Sequence, residues 1–336
     1  MGEYPKIPHE QEPHPNEKVD LNFGGEYGRL ALKYELEQTF AKNLEVNPDH
    51  VQLTNGSNGS LNIILPILAL RFTRMHNGQS PCAVLDTPNY FDTIKFLTAG
   101  GYNINEVSRT QTFELNTDLL IKEIKEKYPH LVILTTPNNP TGIPIHDGQI
   151  DQIIHATPDD SIVLIDRTCL NVGEEISTKE LLKKYAHKKL IILHSFSKTH
   201  NMSAERVGFF VTNNDDLASY LQTHEDDGRV NADAMQQCKE LINKKDLVEK
   251  NKTEIKRSLA ILENYAQEDT DFLYTQSRSN FALVRLDPKK ADKLKQKFLF
   301  PDATKFGIDD PCIFRLNLSD SQKIKMFIGE YKNVEN

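Results

Sequence analysis

The chain has 336 residues and a formal net charge of −8, with 26% charged and 38% hydrophobic residues and 16 each of Gly and Pro. That length exceeds one typical domain, and the composition is globular, which sets aside disordered and fibrous classes. The acidic balance and scattered lysines leave no basic face for a nucleic-acid backbone, and Cys82, Cys169, Cys238 and Cys312 form no metal-binding cluster, so neither nucleic acid nor metal is expected.

The first twenty residues are polar and Pro-rich without an apolar core, which predicts neither export nor anchoring and, with thiols expected to be reduced, a cytoplasmic protein. Helical spacing then appears in YGRLALKYELEQTFAKNL, where Leu30, Tyr34, Leu36 and Phe40 can share a face. TNGSNGSLN opens the apolar run LNIILPILAL, which is too short for a membrane span and reads as a buried helix. From Val51 to Phe210, short apolar runs alternate with helical stretches. AVLD, LVILTT, IVLID, LIILH and VGFFV read as strands; DLLIKEIKEKY and ISTKELLKKYAH read as crossover helices. This alternation predicts an α/β fold with a mostly parallel central sheet. A charged helical stretch from Ala234 to Tyr265 leads into NFALVRL and FRLNLS, read as strands flanking a lysine-rich helix. The expected division is an arm and helix at 1–45 packing with the small domain, a large domain at 46–235, and an interdomain helix with a small α+β domain at 236–336.

Several strand ends carry chemistry. SFSKTHNMSAERVGFF follows LIILH and places Ser195, Ser197, Lys198 and Arg206 together; a desolvated lysine there becomes a nucleophilic amine, and the hydroxyls and arginine suit a phosphate. TPNNPTG is a turn that aims Asn139, and IVLIDRTC puts Asp166 where open α/β sheets bind ligands. The turn at Gly56, Ser57 and Asn58 offers free backbone N–H groups to an anion, and LDTPNY offers Tyr90 as a ring for stacking.

In this order the segments resemble the class I and II aminotransferases, fold-type I pyridoxal-phosphate enzymes that include the histidinol-phosphate aminotransferase-like group. The match runs from YGRLALKYEL to FRLNLS, and the eight-residue step from Lys198 to Arg206 agrees with the aspartate aminotransferase pattern. The resemblance implies a pyridoxal 5'-phosphate Schiff base on Lys198, with Asp166 on the ring nitrogen, Asn139 on the phenolic oxygen and Tyr90 stacked on the ring. Gly56, Ser57, Asn58, Ser195, Ser197 and Arg206 would hold the phosphate. Arg315 would clamp the substrate carboxylate, with Asn139 alongside, and Tyr27 would reach a neighbouring subunit in a homodimer whose site lies at the interface. It also implies transfer of an α-amino group between an amino acid and a 2-oxo acid. The alternative is a decarboxylase, lyase or condensing enzyme using the same cofactor.

The sequence departs from the family at Cys169, which stands where a tyrosine usually follows the aspartate by three residues. A thiol is a poorer hydrogen-bond donor than a phenol, which bears on reaction type. The loop THEDDGRVN carries Glu225, Asp226 and Asp227 beside Arg229, and reads either as a solvated acidic loop or as one facing a cationic substrate.

Overall fold

The computed structural model describes residues 25–223, 230–269, 271–301 and 303–334, leaving out the side chains of residues 25–27 and 305. In chain order the elements are α1 (Gly25–Leu44), β1 (Val51–Asn55), α2 (Gly56–Met75), β2 (Cys82–Thr87), α3 (Phe91–Ala99), β3 (Asn103–Ser108), α4 (Thr117–Lys127) and β4 (Leu131–Thr135). They continue with α5 (Asp147–Ala156), β5 (Ile162–Asp166), α6 (Thr178–Lys184), β6 (Lys189–Ser195), α7 (Phe196–Thr199), β7 (Val207–Thr212), α8 (Asp215–Gln222) and α9 (Ala232–Leu241). The chain closes with α10 (Lys245–Glu268), β8 (Leu273–Tyr274), β9 (Phe281–Arg285), α11 (Pro288–Lys297), β10 (Ile313–Asn317) and α12 (Ser321–Asn333).

The large sheet has seven strands in the order β1-β7-β6-β5-β4-β2-β3. Strands β2 to β6 run parallel, while β7 pairs antiparallel with both β6 and β1. Successive side chains of a strand point to opposite faces, so a strand covered on both faces reads as an unbroken apolar run. Val132 and Leu134 of β4 pack with α1, α4, α5, α6 and α9, whereas Leu131 and Ile133 pack with α2 and α3. Val163 and Ile165 of β5 divide from Ile162 and Leu164 in the same way. The strands that the apolar runs do not announce are β1 and β3, the two edges. In β3, NINEVS exposes Asn103, Glu106 and Ser108 and fully buries only Val107.

Helix α1 corrects two expectations. It packs on the large sheet through Leu36, Phe40 and Ala41 rather than with the small domain, Phe40 stacking on Phe209 at 4.4 Å. Tyr34 is exposed, and Lys33 and Glu37 take the buried positions instead, joined at 2.7 Å. Glu37 also accepts the backbone N–H of Leu53 in edge strand β1, a donor that would otherwise be buried unpaired. The residues before α1 lie outside the described part.

The second sheet is antiparallel, β10-β9-β8, and packs with α10, α11 and α12 through Phe272, Val284, Leu294, Phe314 and Phe327. It is tied to the large sheet beside the turn after β4: Arg278 N–H donates to Gly142 O at 2.9 Å and Thr275 Oγ1 to Thr141 O at 2.6 Å. Among the described residues no helix is long and apolar enough to cross a membrane, and no His/Cys/Asp/Glu group could hold a metal ion.

Candidate active site

Parallel register brings Thr135, Asp166 and the end of β6 to one edge of the sheet. There Ser195 stops its strand and caps the single turn of α7: its Oγ accepts from Ser197 N at 3.1 Å and donates to Ser197 Oγ at 2.9 Å. The turn delivers Ser197 and Lys198 into a cavity of about 300 Å³. Ser57, Asn58, Tyr90, Asn139, Asp166, Cys169, Arg206 and Arg315 line the same cavity. Residues from both sheets and from six separate stretches of sequence thus converge on one space.

Charge in this space is unevenly met. Asp166 accepts the backbone N–H of Thr168 at 2.8 Å and has no cationic partner among the described residues; burial raises its pKa, against the pull of Thr168. Burial lowers the pKa of Lys198, and the charges of Arg315 and Arg206 push the same way. Arg315 has no carboxylate partner among the described residues, and burial depresses its pKa too. Its guanidinium lies 4.3 Å over the Phe281 ring and 5.5 Å from Phe306, and its Nε is buried without a hydrogen bond. The Cys169 thiol is pushed up to about 12, first by burial and then by the charge of Asp166, so it stays neutral.

An anion cradle sits at the start of α2. Asn55 makes no side-chain cap there, leaving first-turn N–H groups without a side-chain partner. A Cβ on Gly56, where φ is +68°, would come within 2.6 Å of the Arg206 guanidinium. One on Gly208 would come within 2.9 Å of Ser57 N and 2.7 Å of His194 O, so β7 can pass beneath the helix start only with glycine. Arg206 itself has φ +58°, a left-handed conformation costing a non-glycine residue roughly 1–2 kcal/mol. Such strain clusters at functional sites.

The turn after β4 separates two asparagines. Asn138 is fully buried: Nδ2 donates to Asp86 Oδ2 at 3.2 Å and Pro88 O at 3.0 Å, while Oδ1 accepts from Thr141 N and Oγ1. Asp86 in turn takes Arg109 Nε at 2.6 Å. Asn139 faces the cavity, with its Oδ1 buried and unpartnered.

Some expected residues stand elsewhere. Ser195 does not line the cavity but supports Ser197 from behind. Asn58 lines it, yet its amide donates to Asp92 at 2.6 Å, the carboxylate that also accepts the Tyr90 hydroxyl at 2.9 Å. Burial, foremost, holds that phenol at a pKa of about 12. The Tyr27 side chain and the loop with Glu225, Asp226, Asp227 and Arg229 lie outside the described residues. Sequence reasoning missed Phe91, Thr135, Thr168, Ser203, Phe281 and Phe306 in the lining. Thr135 and Thr168 adjoin recognised motifs and were within reach; the phenylalanines carry no local signal.

Comparison with known proteins agrees with this geometry. A histidinol-phosphate aminotransferase of Corynebacterium glutamicum (strain R) is 30% identical over 199 residues, covering 58% of this chain and 51% of the relative. The chain thus spans about half the length of that curated relative. The histidinol-phosphate aminotransferase structure from Clostridium acetobutylicum superposes with a TM-score of 0.75 at 20% identity, covering 90% of this chain and 89% of that one. The Sinorhizobium meliloti enzyme, solved in complex with pyridoxal-5'-phosphate, gives a TM-score of 0.71 at 15% identity, covering 90% and 82%. The family described as aminotransferase class I and II matches residues 10–329, nearly the whole chain, and the protein belongs to that family.

Proposed function

We propose that the protein is an aminotransferase that holds pyridoxal phosphate on Lys198 and moves an α-amino group between an amino acid and a 2-oxo acid. The observation that carries this reading is a buried carboxylate without a cation among the described residues, Asp166, in the same cavity as a part-buried guanidinium without a carboxylate among them, Arg315. Buried charges are ordinarily paired, and each of these is matched by a different charge of the bound molecules.

The residues fit the cofactor. Ser57, Ser197, Arg206 and the start of α2 would take its phosphate, with Ser195, Gly56 and Asn58 shaping that cradle. Asp166 would hold a proton on the ring nitrogen, Asn139 would face the phenolic oxygen, and Tyr90 would cover the ring. When bound, the cofactor supplies an electron sink for the pair left by a broken bond at the substrate's α-carbon.

Lys198 does the rest of the proton work. Its lowered pKa favours the neutral amine, the form able to attack a carbonyl carbon and to accept the α-proton. Arg315 would hold the α-carboxylate through parallel N–H donors, its plane fixed over Phe281. That grip favours loss of the α-proton over loss of the carboxylate, and so transfer over decarboxylation. The neutral thiol of Cys169 adds no charge beside Lys198.

Family membership also supports a homodimer with its site at the subunit interface, Tyr27 contributing from the neighbour, and a cytoplasmic setting. The two sheets support a division into a large domain at 46–235 and a small one at 236–336, with α1 assigned to the large one.

Incubation of the cofactor-loaded protein with amino acids and 2-oxo acids tests the reading. The expected result is one new amino acid and one new 2-oxo acid per donor consumed. Stoichiometric release of carbon dioxide or ammonia would replace transfer with a decarboxylase or lyase.

A further inference from the structure

One wall of the cavity offers no charge. Beside Arg315 the lining is aromatic: Phe281 lies beneath the guanidinium, and Phe306 meets Phe91 edge-on at 6.0 Å and 69°. Phe91, which is 40% exposed, continues the wall to Tyr90 at 4.9 Å. Phe91 opens α3 on the large sheet, whereas Phe306 ends a short helical turn, Ala303–Phe306, on the other side. Both units therefore contribute rings to the place where a substrate side chain would emerge from the Arg315 clamp.

Among the described residues, the cations lining the cavity are Lys198, Arg206 and Arg315. Under the function proposed above each has an occupant: the cofactor's carbon, the cofactor's phosphate and the substrate's carboxylate. For a donor whose α-carboxylate occupies Arg315, none of them remains for a carboxylate or phosphate on its side chain.

We propose that the amino donor carries an uncharged apolar side chain, preferably aromatic, seated against Phe91 and Phe306, and that the site selects against donors whose side chain is itself acidic or phosphorylated. This rests on the aminotransferase reading and names its substrate class. A phosphate dianion brought to the aromatic wall loses hydration and gains no counter-charge. An aromatic ring there removes apolar surface from water and can add an edge-to-face contact.

Binding tests the inference apart from turnover. Cofactor-loaded protein is titrated by calorimetry with hydrocinnamate, which has the carboxylate and the ring but no amine to transfer, and with glutarate and 4-phosphonobutyrate, which keep the carboxylate and carry a second anion in place of the ring. Hydrocinnamate is expected to bind about tenfold or more tighter than either, and Phe306→Ala and Phe91→Ala are each expected to weaken it by about tenfold. Propionate, with a carboxylate and no ring, should respond far less. Tighter binding of glutarate or 4-phosphonobutyrate would overturn the proposal, as would unchanged hydrocinnamate affinity in Phe91→Ala, whose half-exposed position poses little threat to the fold. If hydrocinnamate binds as expected but no amino acid transfers its nitrogen, the aminotransferase reading fails and the apolar pocket stands.

Discussion

Two buried aspartates stand at strand ends of the same sheet and meet opposite fates. Asp86 is held by Arg109 at 2.6 Å and by Asn138 at 3.2 Å, whereas Asp166 has the Thr168 backbone N–H and no cation among the described residues. The contrast repeats in adjacent asparagines, since Asn138 uses both ends of its amide within the fold and Asn139 leaves its Oδ1 without a partner. Asn138 and Asp86 are tied into the turns beside the cavity; Asn139 and Asp166 face into it. Asn139, Thr168 and Arg315 each bring a buried side-chain atom without a hydrogen bond to this cavity, where a ligand's polar groups can satisfy it.

Substitutions can break this comparison. The largest expected effect is at Lys198, where Lys198→Ala should lower amino transfer by about 10⁴-fold or more in a steady-state assay, with the circular dichroism spectrum unchanged. Next, Arg109→Leu leaves Asp86 as a buried unpaired charge and should cost about 3–5 kcal/mol in urea unfolding. Asp166→Asn should do the reverse in cofactor-free protein, raising stability at neutral pH by about 1–3 kcal/mol. If both substitutions destabilise alike, the two aspartates are not different in kind.

The gain from Asp166→Asn should also depend on pH. Burial raises the folded pKa of Asp166 above its usual 3.8, so the folded state holds the proton more tightly than the unfolded state. The penalty is therefore full above the folded pKa and fades as pH falls towards 3.8, and unfolding curves of the two proteins should converge over that window. A smaller effect concerns Lys198. Because burial, with Arg315 and Arg206, lowers its pKa from 10.5, attachment of pyridoxal phosphate should speed up with rising pH and level off below 10.5. Removing one of those positive charges, as in Arg315→Gln, should move the plateau upward in stopped-flow absorbance.

Much of this was legible in the sequence. Lys198, Asp166 and Asn139 each follow an apolar strand that cannot be mistaken for anything exposed, and short spacings tie Ser197 and Arg206 to Lys198. Residues whose role depends on distant contacts were not legible. Arg109 and Asp86 lie 23 residues apart in no motif and meet only because β2 and β3 pair. Phe91 and Phe306 come from different units, and Asp92, which holds both Asn58 and Tyr90, looks like any acid in a helix's first turn. Edge strand β3 carries no apolar run because its residues are mostly uncovered, Val107 alone being buried. In α1 the buried pair Lys33–Glu37 imitates a solvated face in sequence, and helical spacing alone points to Tyr34 instead.

Borohydride reduction of the protein with stoichiometric pyridoxal phosphate, followed by mass mapping of its peptides, tests the Lys198 assignment most directly. The expected result is a pyridoxyl group on Lys198 and on no other lysine. Label spread over surface lysines with Lys198 unmodified would contradict it.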